Sequence, residues 1–267
     1  MSIIFKCKTD EAYNIKVLAE LLSNNLKTGC FEVCDEGIYL RMTDNLKKTL
    51  VDLYLDSENF SIFEYNYGEK LSLGLNLNHF HKMLKSVKKK DSLEMYITDE
   101  DINQLFIKTI PKEKTRVTTS GIKIQNIQII DTEIPINSSK PINIISTDFQ
   151  KMCKELTSIG SNEINISTYT YSIDFSANAD DILKRSVRLG EYCEDDNTKT
   201  YTSTFYTDQF SRINKLAGLS SVLQIYPGNK ETPLTFKSRV GNLGNITVYI
   251  KSIENNDFIE DSDSDSD

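Results

Sequence analysis

The two histidines, His79 and His81, are separated by one residue. On a helix that spacing turns them about 200° apart, so they do not converge on one metal ion. Cys30 and Cys34, in CFEVC, read better as buried thiols of a strand than as a redox or zinc motif. EYCEDD at 191–196 is an acidic loop without the second carboxylate cluster a metal-dependent nuclease requires. The terminal DSDSDSD lacks the glycine and the distal glutamate of a calcium loop, and no glycine-rich phosphate loop occurs. The residue types that carry catalysis are therefore not arranged for it. The expectation is a chain that is not an enzyme, with no catalytic residue, no cofactor and no metal site.

Lysine is arranged with more purpose. FHKMLK at 80–85 returns as FQKMCK at 149–154 and as FSRINK at 210–215. At about 100° per residue, positions i and i+3 share one helix face, while i+2 and i+5 lie about 200° and 140° away from the first. Phe80 with Met83, Phe149 with Met152 and Phe210 with Ile213 thus form apolar keels. Lys82 with Lys85, Lys151 with Lys154 and Arg212 with Lys215 form two-charge backs. Asn78, Thr147 and Asp208 stand two residues before each Phe as candidate caps, and Gly160 and Gly218 follow as stops. Amphipathic helices commonly carry outward lysines; the threefold recurrence with matching caps is what sets these apart. Cations without aromatics or amides arranged to read base edges suit phosphate contacts, which are non-specific and salt-dependent.

Other elements must hold these helices. At 267 residues the chain can bury one large core or two smaller ones without a metal or disulfide staple. Five cysteines without a CxxC pair fit reduced thiols in an intracellular protein. No apolar run is long enough for a membrane span, and the first residues lack the apolar core of a signal peptide. The formal net charge is −8, but the stretch from Glu254 onward carries seven carboxylates and no cation, so the rest is nearly neutral and can turn a basic surface to one side. That tail is expected to be disordered, and Ser262 and Ser264 within it to suit an acid-directed kinase.

Alternating runs such as GIYLRM, KTLVDLYL, KLSLGLN, LEMYIT and QLFIKT predict strands in the first half. INIIS, EINIST, YSIDFSA, LKRSVRLG, YTSTFYT, VLQIYPG, PLTFKSRV and ITVYIKS do so in the second. A further helix is predicted over 10–25, capped by Thr9 or Asp10, with Ile15, Leu18, Ala19 and Leu22 on one face. With helices over 78–87, 147–158 and 208–217, each half holds two helices among short strands, an internal duplication with a period of about 130 residues. IQIIDTEIPINSSKPI, with two prolines and two serines, reads as the linker. If the halves share a fold, the basic backs of all four helices line one continuous surface.

Taken in order, GIYLRMTDNLKKTLVDLYL, LGLNLNHFHKMLK, EIP at 133–135, FQKMCKELTSIG and LSSVLQIYPGNKETPLTF make the chain resemble the proliferating cell nuclear antigen family of sliding clamps, from about residue 4 to 253. The resemblance implies an α+β fold of two similar clamp domains, each with two inner helices packed on antiparallel sheets. The bounds it suggests are 1–125, a connecting loop at 126–141, a second domain at 142–254 and the tail at 255–267. It implies a ring around double-stranded DNA that serves as a processivity factor for DNA polymerase and a platform for repair proteins, without catalysis. Partners would be duplex DNA without sequence preference, polymerase and other proteins with clamp-interacting peptides, a clamp loader and further copies in a homotrimer, with no membrane. The setting would be the nucleus, or a cytoplasmic replication factory for a viral protein. An alternative is a clamp-fold DNA-binding monomer or dimer, or a checkpoint or transcription subunit; the full set of inner cations favours the replication clamp.

Carried over by position, the DNA-facing residues are Lys16, Lys82, Lys85, Arg116, Lys151, Lys154 and Lys215, with Arg212 basic where the family is not. The partner-peptide groove falls on Leu50, Ile134, Pro135, Pro233 and Tyr249. Thr43, Lys47 and Lys48 depart from the family's residues there. Subunits would join by pairing 117–124 with 182–189, through Val117, Ser120, Ile124, Ile182, Ser186 and Leu189. Ser120 replaces a residue that is often aromatic, and Thr170 replaces the family's modifiable lysine.

Overall fold

In the computed structural model, residues 2–130, 132–137, 139–179, 182–191 and 199–255 are described. The acidic tail beyond Asn255, with Ser262 and Ser264, and most of the 191–196 cluster lie outside them. The chain forms two compact units. One comprises Met1–Met42, Asp52–Ile130 and Arg239–Ile246; the other comprises Thr43–Val51, Asp131–Ser238 and Thr247–Asp267. They differ from two contiguous halves, because segments beside the long strands change membership: Asp56 N–H donates to Leu243 O inside the first unit, and Lys251 N–H to Lys48 O inside the second.

The first unit carries β1 (Ile3–Thr9), α1 (Ala12–Asn25), β2 (Thr28–Cys34), β3 (Gly37–Thr43), the later part of β4 (Thr49–Asp56), β5 (Ile62–Tyr65) and β6 (Leu71–Asn76). It continues with α2 (Leu77–Leu84), β7 (Ser92–Thr98), β8 (Asp101–Ile110) and β9 (Thr118–Lys123). One antiparallel sheet runs β5-β1-β7-β8-β9, and β4-β3-β2-β6 lie side by side in another. The core is built from both helices and both sheets: Ile15, Leu18 and Leu22 of α1 and Phe80 of α2 meet Phe5, Phe31, Leu73 and Leu105. The α1 face is wider than its four predicted residues, since Val17 and Leu21 are buried as well. On α2 the apolar keel runs through Phe80 and Leu84, an i, i+4 pair, while Met83 is only half-buried. Gly74 lets the chain leave this unit. Gln125 N–H donates to Gly74 O at 2.8 Å, and a Cβ on residue 74 would stand 2.1 Å from Gln125 O.

The second unit contains β10 (Ile142–Ile145), α3 (Ser146–Thr157), β11 (Glu163–Thr168), β12 (Ser172–Ala179), β13 (Leu183–Gly190) and β14 (Tyr201–Tyr206). It then has α4 (Thr207–Ile213), a 3-10 turn at Asn214–Gly218, β15 (Val222–Tyr226), β16 (Leu234–Val240) as far as Ser238, and the end of β17 (Gly244–Ile250). One antiparallel sheet runs β13-β12-β11-β14; β10, β15 and β16 are neighbours in another. Phe149 and Phe210 are fully buried, both packing on Phe236, and Phe210 also meets Phe175 and Phe205 edge-on. Aromatic edge-to-face pairs contribute about 0.5–1.5 kcal/mol each beyond the area they bury. The recurring Phe is thus the anchor of each helix.

The predicted caps are displaced by two residues, because each helix begins directly at the end of a strand. Asn76 caps α2, its side chain accepting from His79 N–H at 3.0 Å, and Asn78 lies in the first turn. Ile145 and Tyr206 take the cap positions of α3 and α4, so Thr147 and Asp208 are inside those helices. At α4 the Gln209 side chain accepts from Tyr206 N–H at 3.0 Å. Glu11 takes the cap position of α1, with Thr9 accepting from Glu11 N–H. Gly160 does follow α3, in the left-handed conformation at φ +83°.

Candidate nucleic-acid interface and partner groove

In the first unit α1 packs against α2, and Lys82 and Lys85 are exposed at the end of α2 with Phe80 beneath. Lys16 of α1 is half-buried, and its ammonium donates to Lys85 O at 2.7 Å and Val87 O at 2.9 Å. It therefore satisfies carbonyls just past the end of α2, where a cation also meets the negative end of the helix dipole. Lys16 and Lys89 both approach the Tyr13 ring, at 5.6 and 5.8 Å. Arg116 is exposed in the segment that precedes β9.

In the second unit Lys151 and Lys154 are exposed on α3, opposite the buried Phe149, Met152 and Cys153. Lys151 lies 3.5 Å from Asp148 across one helical turn. Lys215 is half-buried in the 3-10 turn. Arg212 corrects the sequence reading. Its guanidinium is held by Asp208 and, at 3.2 Å, by the almost fully buried Asp44, so it does not stand as a cation open to phosphate. The pattern of FSRINK gave the face of the helix, but not the two carboxylates that meet it.

The five groove residues all belong to the second unit. Leu50 and Tyr249 pack together as buried core, at 0% and 7% exposure, and Pro233 is buried. As buried residues these three could form the floor of a groove. Exposed apolar surface comes from the connecting segment instead, with Ile134 at 37% and Ile136 at 85%. That segment is pinned by Asn137, which donates to Pro227 O at 3.1 Å, and by Ser139, which donates to the same carbonyl at 3.0 Å. Sequence reasoning missed Ile136, although its place beside Ile134 and Pro135 was the available signal. Beside the floor, Lys48 donates to Asn255 O at 2.5 Å, and Glu254 accepts from Thr204 N–H. Partial burial pushes the Glu254 carboxyl up, but hydrogen bonds from its own N–H, Ser252 and Thr204 outweigh this and hold it below its ordinary value.

Among the described residues both proposed joining strands are sheet edges: β9 pairs with β8 and β13 with β12. Val117 is 46% and Ile182 89% exposed, and Ser120 and Ile124 are half-buried. Leu189 instead faces the core, and Ser186 donates to Asp174 at 2.6 Å, so neither presents an apolar side chain outward. Among the described residues no group of three His, Cys, Asp or Glu could hold a metal ion, and no helix is long and apolar enough to cross a membrane.

The family model described as proliferating cell nuclear antigen, N-terminal domain, matches residues 4–133. A protein named probable DNA polymerase sliding clamp 1, from Paramecium bursaria Chlorella virus 1, is 26% identical over 262 residues, covering 94% of this chain and 98% of that protein. Proliferating cell nuclear antigen of Dictyostelium discoideum is 29% identical over 179 residues, 66% of this chain and 68% of that one. The crystal structure of the antigen from Entamoeba histolytica superposes with a TM-score of 0.82 at 22% identity, covering 94% of this chain and 99% of that chain. The α+β fold with antiparallel sheets and few helices is the fold of that structure.

Proposed function

We propose that the chain is a sliding clamp of the proliferating cell nuclear antigen family, and that copies of it close into a ring around duplex DNA and tether DNA polymerase to its template. The observation that carries this is the helix pair of each unit: a buried aromatic keel with Lys82, Lys85, Lys151 and Lys154 exposed behind it. Such cations meet phosphates without reading bases, which leaves the ring able to slide. Arg116 and Lys215 extend the set, while Lys16 shapes the end of α2. The protein acts as a tether and performs no catalysis of its own.

Assembly is a homotrimer in which the 117–124 edge of one copy pairs with the 182–189 edge of the next. Unpaired edges of this length invite pairing, and Ile182 and Val117 lose apolar exposure when it occurs. Polymerase and other partners insert a peptide with aliphatic and aromatic anchors against Ile134 and Pro135 above the Leu50–Tyr249 floor. A clamp loader opens the ring, and the protein works in the nucleus or in a viral replication factory. Size-exclusion chromatography with light scattering tests the assembly: three chain masses are expected, and a monomer at every concentration would refute the ring. For the groove, Ile134→Ala is expected to weaken an anchor peptide without lowering stability. An unchanged dissociation constant would place the partner site elsewhere.

A further inference from the structure

The loop that joins β3 to β4 is tied down from within. The Asp44 carboxylate is 3% exposed; its Oδ1 accepts from Lys48 N–H and Thr49 N–H, both at 2.9 Å. Asp44 N–H donates to Thr49 O, Lys47 N–H donates to Asp44 O, and Lys47 sits at φ +53°, a conformation that side chains other than glycine seldom adopt. The remaining oxygen, Oδ2, accepts from Arg212 Nη1 at 3.2 Å. Without that guanidinium a buried carboxylate would keep only backbone amides as partners. The same guanidinium is oriented from its other side by Asp208, one helical turn back and largely exposed. Asp208, Arg212 and Asp44 thus form a strut from α4 to the loop.

The loop in turn carries exposed apolar surface. Leu46 is 62% exposed, and with Tyr206, 43% exposed, it rims a cleft of about 640 Å³ whose lining includes Lys48, Asp208 and Arg212. Lys48 O accepts from Lys251 N–H, and Leu50, two residues on, is packed on Tyr249. The loop is thus joined through Lys48 and β4 to the Leu50–Tyr249 pair.

We propose that Arg212 is a positioning residue for the partner surface: by holding Asp44 it fixes the 44–48 loop, and with it Leu46 and the groove floor, and it does not contact DNA. The second half of this statement rests on the groove reading given above, while the first half does not.

Three measurements on the full-length chain separate the two. In Arg212→Ala, amide exchange at Lys48 and Thr49 is expected to speed up by roughly tenfold or more, since a charge-assisted partner of their acceptor is lost. Arg212→Lys should restore exchange only in part, because one ammonium cannot serve both carboxylates, and Asp208→Asn should leave most protection in place. The salt dependence of binding to a short duplex should not change in Arg212→Ala, whereas loss of a phosphate contact lowers the slope by about 0.9. A fluorescent synthetic peptide with one aliphatic and two aromatic anchors should bind Arg212→Ala several-fold more weakly than wild type. Unchanged exchange at Lys48 and Thr49, or a slope lower by about one unit, overturns the positioning role. Faster exchange with unaltered peptide affinity overturns its link to the partner surface. If Ile134→Ala also leaves the peptide unaffected, it is the groove reading that fails.

Discussion

Neutralising the exposed helix lysines gives the sharpest test of the proposed DNA-facing surface. In a Lys82→Gln, Lys85→Gln, Lys151→Gln, Lys154→Gln variant, chain length is retained while four positive charges disappear. Each phosphate contact contributes about 0.9 to the slope of log affinity against log salt, and at 0.1 M salt that corresponds to about eightfold in affinity. Lys82, Lys85 and Lys154 are exposed on their helices and should each give the full effect. Lys151 already has Asp148 at 3.5 Å, so its release of counterions is smaller. The slope should therefore fall by about 2.7 to 3.6 per chain, with affinity at 0.1 M salt down by at least about 500-fold. Stability changes little, because Lys82 in the last turn of α2 contributes only about 0.3–1 kcal/mol with the helix dipole. Anisotropy of a short fluorescent duplex across a salt series reads the slope, and Lys237→Gln, an exposed cation on β16, is the control. An unchanged slope in the fourfold variant, or an equal drop in the control, would refute the assignment of these helices to DNA.

Charge placed on the joining edges should block assembly: Val117→Asp with Ile182→Asp is expected to give a monomer by light scattering with its thermal midpoint retained, since both side chains are exposed. Cys7 and Cys153 should resist maleimide at pH 8 until the chain unfolds, because burial pushes both thiols far above their ordinary range, while the half-buried Cys34 reacts first among the four described cysteines. The Glu254 carboxyl is held below its ordinary value in the folded chain, so its contribution is complete above the unfolded value and is lost as pH falls through the folded one. The protection of the Thr204 amide, whose N–H meets Glu254, measured as its exchange rate relative to the intrinsic rate at each pH, should accordingly fall on mild acidification in wild type but not in Glu254→Gln.

The sequence made the elements legible because each signal was local. Strand alternation located β3, β4, β6, β7 and β8, and the eight runs of the second half all became strands. The Phe at the head of each basic repeat located the helices to within a few residues, since one buried aromatic per amphipathic turn fixes both face and register. The caps were misplaced for a physical reason. Where a strand runs straight into a helix, the last strand residue serves as the cap, and it need not have a capping side chain: Ile145 and Tyr206 hold that position simply by being extended.

What could not be read was how cations are committed across long sequence separations. Lys16 and Lys82 look alike in a helical projection, yet Lys16 reaches carbonyls about seventy residues away and Lys82 remains exposed. Arg212 was placed on the same face as Lys151 and Lys154, and the difference lies in Asp44, a residue 168 positions earlier that folding buries against it. Burial raises the stakes of that pairing, because a carboxylate removed from water must find a partner while an exposed lysine need not. The basic repeat therefore specifies three helices of one shape. Whether a given cation in it serves the fold or faces outward depends on whether folding brings a buried acceptor within reach, and among these repeats it does so at Arg212.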